Sequence, residues 1–345
     1  MGARNGAGTG ARAGMTMRAL VMAGPSEGPE LTRVEKVDEP VPGPGELSIE
    51  VAHAGVNFID VMARRGDPGY ASGWPYVPGL EVAGTVRALG PGTTGFAVGQ
   101  PVAAFTRGGG GLAEVAVARA ELAVPLPAGA STAVAAAAPL MLATALLLLT
   151  DAGRFRPGDT VLLHSASGGV GGAVAQLVSV LGGGVRVGVV GRPDKVEAAR
   201  AAGWDVVLPR GPELVEAVRS AVPGGVDLVL DPSGTTMLDT DLAVAAPGGR
   251  IVLFGNAGGG TPEPLPPAGR LIGGNLAIGG FSMSSLAAAA PARVSDALRR
   301  VLDLVAEDAL SVAVTEVASL DGVAEVHQLL ADGRGSGKYV VAVGA

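Results

Sequence analysis

Residues 160–178 (TVLLHSASGGVGGAVAQLV) place an apolar strand, a glycine-rich loop and a helix with apolar spacing in direct succession. This succession constrains the fold strongly, because it directs backbone N–H groups and the positive end of a helix dipole at an anion. Gly168 and Gly171 let the main chain approach a phosphate and let the helix pack closely on the sheet. Ala166 replaces the first glycine of the G-x-G-x-x-G pattern, so a chance glycine-rich turn is the alternative. With the strand before the loop and the helix after it, the stretch predicts a dinucleotide-binding site.

The part of the chain after residue 142 alternates apolar strands with helical segments. The predicted strands are 160–164, 185–190, 206–208, 226–231 and 250–255, with helices such as 194–202 and 212–221 between them. Parallel strands that alternate with helices form a doubly wound sheet, whose ligand lies beyond the carboxyl ends of the strands. From about residue 271 the pattern predicts one more strand, a helix over 291–306, and a closing strand over 338–343.

The part before residue 142 consists of short strand-like runs separated by turn clusters. The runs are 18–22, 47–53, 81–89, 101–105 and 112–118, and the Pro/Gly clusters at 41–45 and 90–92 are turn signals. This pattern predicts an all-β, barrel-like region. Residues 1–16 are basic and rich in Gly and Ala without the apolar segment of a signal peptide, which predicts a disordered tail or a translation start at Met17.

The end of the second predicted α/β strand indicates which dinucleotide is bound. An NAD site usually has an Asp or Glu at this point to bind the ribose 2′-hydroxyl. Here Arg192 follows the strand and Lys195, one of only three lysines in the chain, comes shortly after it. A guanidinium binds a phosphate bidentately, so the pair favours NADPH, the alternative being two solvated cations at a helix start. Asp194 is interpreted as a helix N-cap.

Composition restricts the function classes. The net charge of −7 argues against nucleic acid as a partner, and the absence of cysteine excludes disulfides, thiol catalysis and thiolate metal sites. Residues 131–150 carry no charge and are long enough to cross a bilayer, but the run is alanine-rich and interrupted by Pro139. We expect a buried helix or helix pair there, no membrane partner, and a cytoplasmic protein.

Six short motifs carry a resemblance to a known family. They are 44–47 (PGEL), 55–60 (GVNFID), 75–84 (PYVPGLEVAG), 143–145 (ATA), 247–255 (PGGRIVLFG) and 337–338 (GK), together with the glycine loop. From Met17 to its end the chain resembles the zinc-independent medium-chain dehydrogenases/reductases, in particular the quinone oxidoreductase and zeta-crystallin branch. The resemblance implies an α/β protein with a GroES-like β-barrel catalytic domain (17–141 and 271–345) and a doubly wound Rossmann domain (142–270). It also implies a substrate cleft between the domains and a homodimer formed through the Rossmann sheet edge near 275–281.

The same resemblance shows which zinc ligands are missing. Zinc alcohol dehydrogenases have Cys where this chain has Asn57 and His where it has Leu80, and Glu81 remains without a metal partner. We therefore expect no metal site. Without a Lewis acid to polarise an alcohol or aldehyde oxygen, the remaining chemistry is hydride addition to an acceptor that is already activated. A quinone or an α,β-unsaturated carbonyl, either an enone or an enoyl thioester, meets this requirement.

Few residues qualify as catalytic groups. Asn57 and Asp60 match the Asn-x-x-Asp of the family, so the Asn57 amide is a candidate hydrogen-bond donor to developing enolate charge, although a turn-forming role is the alternative. Asp60 is expected to fix the loop. Tyr70 lies near the cleft tyrosine of the relatives, as a proton donor, a shield for the nicotinamide or a plain loop aromatic. His53, His164 and His327 are interpreted as structural.

The predicted cofactor site gathers residues from several loops. They are Thr144, Ser167, Gly168, Gly169, Val170, Gly171, Gly191, Arg192, Lys195, Phe254, Gly255, Asn256 and Lys338. Two function classes fit this set: an NADPH-dependent reductase of a small-molecule quinone or enone, and an NADPH-binding sensor or crystallin-like protein without turnover. The candidate catalytic residues favour the enzyme.

Overall fold

The computed structural model describes residues 14–344, whose strands form three sheets. The strands are β1 (Thr16–Met22), β2 (Thr32–Asp38), β3 (Glu46–Val56), β4 (Glu81–Leu89), β5 (Pro101–Phe105), β6 (Val115–Arg119), β7 (Ala123–Pro125), β8 (Val161–His164), β9 (Arg186–Val190), β10 (Val206–Pro209), β11 (Val226–Asp231), β12 (Ala245–Leu253), β13 (Ala277–Gly280), β14 (Val314–Val317) and β15 (Lys338–Ala342). Residues 1–13, which contain most of the predicted tail, lie outside the described part, and β1 begins inside that predicted tail.

The helices follow the same chain order. They are α1 (Phe58–Arg65), α2 (Thr132–Ala135), α3 (Ala143–Leu147), α4 (Gly169–Val180), α5 (Val196–Ala201), α6 (Leu214–Ala221), α7 (Leu238–Val244), α8 (Ala268–Gly274), α9 (Met283–Ala289), α10 (Pro291–Ala306) and α11 (Val323–Ala331). Single 3₁₀ turns cover Ala120–Leu122, Pro193–Lys195 and Leu320–Gly322. The predicted helix over 291–306 is confirmed to the residue.

The second half of the chain forms a parallel six-stranded sheet in the order β10-β9-β8-β11-β12-β13. The order reverses between β8 and β11, so the carboxyl ends of these two strands form the switch point where α/β sheets bind ligands. Leu162, Val229 and Ile251 are fully buried in neighbouring strands, because helices cover both faces of the sheet. Strand β13 pairs with β12, so the parallel sheet continues past residue 270, the domain boundary that the resemblance implies, to the edge expected near residues 275–281.

The first half forms a seven-stranded sheet in the order β14-β15-β3-β4-β5-β7, with β6 paired to β3. Strands β14 and β15 come from the C-terminal end of the chain, and β15 runs antiparallel to β3. The GroES-like region is thus completed by C-terminal residues. Sequence patterns missed β2 and β7: β2 (TRVEKVD) is largely polar because it pairs only with β1, and β7 is only three residues long.

The uncharged run forms one continuous helical segment over Thr132–Ala152. It is the only helix in the described part that is long and apolar enough to cross a membrane, and 78% of its most apolar window is buried inside the protein. Within this segment, α2 and α3 alternate with π-helical turns at Ala138–Leu142 and Leu148–Ala152. The segment packs against α4 and α10 on one side and against β4 and β5 on the other, so it joins the two halves.

Candidate functional site

The glycine loop connects β8 to α4 at the switch point of the parallel sheet. Ser165 adopts a left-handed conformation (φ 64°), and the Gly168 N–H donates to its carbonyl at 3.0 Å, which turns the chain into the helix. A Cβ on Gly171 would lie 2.4 Å from the Ala166 carbonyl oxygen, so only glycine fits this close packing of helix on loop. The first N–H groups of α4 have no acceptor within the helix and point out of its N-terminus. This end of the helix is built to receive an anion.

Arg192 lies just beyond the carboxyl end of β9, as the sequence predicts. Its Nε and Nη2 donate to the two carboxylate oxygens of Asp194, both at 3.1 Å, and both side chains are largely exposed. The interpretation of Asp194 as a helix N-cap is wrong: Arg192 occupies that position, and Asp194 is one residue into the 3₁₀ turn. The space around Gly191 is open, since no atom lies within 4 Å of a Cβ built there. Arg192 therefore borders an open space, and its guanidinium is hydrogen-bonded to the Asp194 carboxylate.

Lys195 is buried rather than solvated. Its Nζ donates to the carbonyl of Gly335, and burial lowers its pKa. Two residues further along, the N–H of Gly337 donates to the Ser167 carbonyl at 2.9 Å. The segment 335–337 before β15 thus contacts both the glycine loop and the 3₁₀ turn that follows β9, and joins the C-terminal strand to the predicted cofactor site.

The remaining predicted cofactor residues lie near the same edge of the sheet. Phe254 and Gly255 directly follow β12, and the side-chain amide of Asn256 donates to the Gly260 carbonyl at 2.8 Å. Thr144 lies in α3, which packs against α4, and its hydroxyl is buried without a hydrogen-bond partner. A buried hydroxyl without a partner is uncommon in native proteins, and a bound ligand would satisfy it.

Asp60 fixes the start of α1. One carboxylate oxygen accepts the backbone N–H of Asn57 at 2.9 Å, and the other accepts that of Gly79 at 3.1 Å. The buried carboxylate thereby joins the N-terminus of the helix to the turn before β4. The contacts are those of a loop-fixing residue, the role that the sequence favours for it.

Asn57, Glu81 and Lys338 form a polar network between β3, β4 and β15. The Asn57 Nδ2 donates to Glu81 Oε1 at 2.9 Å and to the Gly55 carbonyl at 3.3 Å, while its Oδ1 accepts from Lys338 Nζ at 2.7 Å. Lys338 also donates to Glu81 Oε1 and to the Val56 carbonyl. Both amide protons of Asn57 and the ammonium of Lys338 are therefore engaged within the protein.

Glu81 is fully buried and fully satisfied. Its second oxygen accepts the backbone N–H groups of Leu140 and Met141 at 2.7 and 3.3 Å. These N–H groups belong to the π-helical turn in the long helical run, so the carboxylate joins the barrel to that run. The structural pairing expected for Glu81 is thus present, whereas nothing in the sequence indicates that Lys338 is the residue that returns to this point.

Tyr70 lines a cavity of about 420 Å³. The cavity lies between the loops of the seven-stranded half and the segment after β13, and it is lined by Ile59, Pro68, Gly69, Tyr70, Tyr76, Leu80, Arg107, Gly108, Ser282 and Ser284. Burial raises the pKa of both tyrosines, so each phenol remains a hydrogen-bond donor at neutral pH. A volume of this size is typical of small-molecule sites.

The three histidines have structural surroundings. His53 Nδ1 lies 2.9 Å from the Thr132 hydroxyl, and His327 is buried 3.8 Å from Asp60. His164, at the end of β8, lies 2.7 Å from Asp241, beside a second buried carboxyl group, Asp231. None of the three lines the cavity. No local sequence pattern indicates the His164–Asp231–Asp241 cluster, because its members are far apart in the chain.

Two family models match the chain in the order of its two halves. The model for the alcohol dehydrogenase GroES-like domain matches residues 43–128, and the model for zinc-binding dehydrogenase matches residues 169–307. The structure of mycobacterial Rv1454c complexed with NADPH is 32% identical, covers 94% of this chain and 99% of its own, and superposes with a TM-score of 0.85. The chain is a medium-chain dehydrogenase/reductase.

The relatives of this chain include proteins with different names and lengths. Escherichia coli quinone oxidoreductase, solved with NADPH, superposes with a TM-score of 0.83 at 25% identity over 94% of this chain and 99% of its own. A human synaptic vesicle membrane protein VAT-1 homolog-like is 34% identical over 243 residues, 70% of this chain. The matched part spans 57% of the length of that relative.

In this medium-chain dehydrogenase/reductase, the side chains present bear on the metal positions that the resemblance implies. Asn57 and Leu80 stand there, and the Lys338 ammonium contacts Asn57 and Glu81. Within residues 14–344 no group of three or more His, Cys, Asp or Glu side chains is arranged to hold a metal ion. The donor set of this part of the chain therefore does not fit a zinc site.

Proposed function

We propose that this protein is an NADPH-dependent, metal-free oxidoreductase that transfers a hydride to a quinone or an α,β-unsaturated carbonyl, either an enone or an enoyl thioester. The composition of the cavity is the observation that carries the proposal. It contains phenols, serine hydroxyls, apolar side chains and one guanidinium, with no carboxylate, imidazole or thiol. Such a lining has no general base to take a proton from an alcohol, but it has donors for an oxygen that gains negative charge.

The residues around the glycine loop fit a dinucleotide. The N-terminus of α4 and the glycines of its loop would hold a pyrophosphate, the unpartnered Thr144 hydroxyl lies on the neighbouring helix, and Arg192 borders the open space at Gly191. NADPH supplies a hydride when it is bound, as the two relatives solved with it suggest. Ser167–Gly171, Phe254–Asn256, Lys195 and Lys338 complete the proposed cofactor site, the two lysines through the loops and strands that they hold in place.

Tyr70 is the proposed hydrogen-bond and proton donor to the acceptor oxygen. Its phenol lines the cavity and stays protonated, because burial and the neighbouring Asp67 raise its pKa. Asn57, the other candidate from the sequence, does not line the cavity, and both of its amide protons are engaged. We therefore assign Asn57 and Asp60 to positioning the start of α1 and the Glu81–Lys338 pair, and the direct contact to Tyr70.

A homodimer and a cytoplasmic location complete the proposal. Strand β13 is an edge of the parallel sheet, and none of the residues of the preceding helix α8 is buried. An uncovered helix beside an open strand edge is typical of a surface that pairs with a second copy. The long apolar helix is mostly buried, which supports a location away from the bilayer.

A panel assay tests the activity. NADPH oxidation is followed with a simple quinone, an enone and an enoyl thioester in the presence of a chelator, and NADPH binding is measured separately. We expect turnover on at least one acceptor class, with unchanged rates when the chelator is omitted. Tight NADPH binding with no turnover on any acceptor would instead support the sensor or crystallin-like alternative.

A further inference from the structure

Arg107 is the only charged side chain among the residues that line the cavity. No carboxylate lines the cavity with it, and the neighbouring Asp67 is paired with Arg65 at 2.5 Å. The two tyrosine phenols are neutral at physiological pH, since burial raises their pKa. The cavity therefore carries a positive charge in a protein whose net charge is −7.

The guanidinium of Arg107 is fixed at one end and open at the other. Its Nε donates to the carbonyl of Ser284 in α9 at 3.1 Å, and both residues line the cavity. Its two terminal nitrogens have no hydrogen-bond acceptor, and the side chain makes no ion pair, in the part of the chain that the structure describes. A glycine loop with left-handed residues at Gly108, Gly109 and Gly110 carries it, so the turn is sharp and the side chain is directed across to α9.

An arginine held in this way is suited to an oxyanion. Its planar fork presents two parallel N–H groups that match a carboxylate or phosphate, and such charge-assisted bonds are stronger than neutral ones. A cation in an otherwise uncharged cleft also raises the local concentration of anions. A neutral quinone or enone would leave the terminal nitrogens without an acceptor.

We propose that Arg107 determines specificity by binding an oxyanion on the acceptor, so that the preferred substrate is an anionic quinone or enone that carries a carboxylate or phosphate away from the carbon that receives the hydride. This inference rests on the proposed function, because it assigns a substrate class to the same cavity. It makes Arg107 a contact to the non-reacting end of the substrate, with the apolar floor at Ile59 and Leu80 available for the conjugated part.

Direct binding tests the inference without turnover. Two unreactive ligands of equal shape are compared, para-carboxycinnamamide and its neutral para-carbamoyl isostere, by calorimetry with the wild type, Arg107→Gln, Arg107→Lys and the control Arg300→Gln. Arg300 is exposed on α10 and does not line the cavity.

We expect the anion to bind at least tenfold tighter than the isostere, about 1.4 kcal/mol, in the wild type and the control. The ratio of the two affinities is expected to fall to within twofold in Arg107→Gln and to be partly kept in Arg107→Lys. In the wild type it is expected to decrease with added salt. Equal affinities in the wild type, or a preference that survives in Arg107→Gln, overturn the inference.

A kinetic arm separates this inference from the proposed function. The ratio of kcat/KM for para-carboxycinnamaldehyde to that for cinnamaldehyde is expected to fall about tenfold in Arg107→Gln, which corresponds to 1.4 kcal/mol. Reduction of both aldehydes with an unchanged ratio leaves the function standing and refutes the role of Arg107. Binding that depends on Arg107, without reduction of either aldehyde, refutes the reductase and supports the anion site.

Discussion

At the scale of single residues, Arg192 and Asp194 are expected to determine how strongly the protein distinguishes NADPH from NADH. The guanidinium is where a 2′-phosphate is expected, but its fork is already paired with an exposed carboxylate. Exposed ion pairs of this kind contribute about 0–1 kcal/mol, so a phosphate can displace Asp194 at small cost. The structure thus supports the NADPH preference inferred from the sequence. It also shows that the Asp194 carboxylate pairs with Arg192, which should weaken this preference.

We expect NADPH to bind at least tenfold tighter than NADH, about 1.4 kcal/mol. Arg192→Glu is expected to narrow or reverse this ratio, because it replaces the phosphate-binding cation with a repelling charge. Asp194→Asn is expected to increase the ratio, since the Arg192 guanidinium then has no carboxylate partner at this position. Fluorescence titration with both cofactors measures the ratios, and Arg200→Glu, on the exposed face of α5, is the charge control. Equal dissociation constants in the unmutated protein would contradict the assignment.

Asn57 and Tyr70 differ in what their removal should do. Asn57→Ala removes a donor to Glu81 and an acceptor for Lys338, so it is expected to lower stability by about 1–3 kcal/mol with a less than tenfold loss of kcat. Tyr70→Phe keeps the ring and loses the hydroxyl, and it is expected to lower kcat by roughly 10²–10³ with NADPH affinity intact. Thermal unfolding and steady-state kinetics on one confirmed acceptor separate the two. A kcat loss of the larger size in Asn57→Ala would restore its amide as the direct donor.

At the scale of elements, the buried cluster of His164, Asp231 and Asp241 joins β8, β11 and α7 below the glycine loop. All three side chains are fully buried, and the charge of Arg210, whose Nη2 donates to the Ser233 hydroxyl at 3.3 Å, acts on His164 and Asp241. Burial raises the pKa of Asp241 to about 7, burial and the neighbouring Asp241 raise that of Asp231 to about 6, and burial lowers that of His164 to about 4. Between about pH 4 and pH 6 the carboxyl groups therefore hold their protons while the imidazole is neutral.

This cluster predicts a pH-dependent stability with a defined sign. A carboxyl group whose pKa is raised in the folded state stabilises it most below the unfolded pKa, near 4, and loses that contribution as pH rises to about 7. The neutral His164 acts in the opposite direction, because its contribution is lost as pH falls from about 6.5 to about 4. Between pH 6.5 and 8 only the carboxyl effect remains, so the cluster then destabilises the fold as pH rises.

Asp241→Asn is expected to remove part of the pH dependence of stability, because the amide has nearly the same shape as the carboxyl group and cannot ionise. The free energy of unfolding of the variant relative to the wild type should increase from pH 5 to pH 8 by at least about 1.4 kcal/mol, the equivalent of one pKa unit. Thermal unfolding across this range measures it. Asp239→Asn, on the exposed side of the same helix, is the control. A difference between variant and wild type that does not change with pH would contradict the assignment.

At the scale of the whole molecule, the edge of the parallel sheet is left uncovered. Ile272 on α8 is 75% exposed and Leu265 before it is 57% exposed, beside the open edge of β13. We expect two copies to pair through this edge. Ile272→Glu should shift a dimer toward monomer in light scattering after size exclusion, while Val98→Glu, at a position 65% exposed on the other half, should not. A monomeric wild type at micromolar concentration would refute the proposed assembly.

The metal content is a second property of the whole molecule. Asn57 and Leu80 replace the zinc ligands, and the network around Glu81 contains the Lys338 ammonium, so a divalent cation there would meet a positive charge. We expect the purified protein to hold less than one zinc in ten chains and to lose no activity on dialysis against chelator. Elemental analysis checks this, and one zinc per chain would contradict it.

The sequence by itself determined the parts of the fold that depend on local patterns. The glycine loop, the alternation of strands and helices, the start of α10 with Pro291 as its first residue and the run of residues 81–89 are each specified by neighbouring residues, and the structure has them where the patterns place them. Positions that follow a strand end, such as Arg192 after β9, were predictable for the same reason. The side-chain partner of Arg192 was not, because Asp194 adopts a 3₁₀ turn instead of capping the helix.

Only the tertiary structure decided which distant residues meet. The return of β15 to β3 brings Lys338 to Asn57 and Glu81, and the packing of α7 brings Asp241 to His164. These contacts join positions 77 to 281 residues apart, and no local periodicity encodes them. The placement of Arg107 among the residues that line the cavity has the same origin. Local sequence sets the conformation of each element, whereas long-range burial and charge pairing select the arrangement that satisfies all of them together.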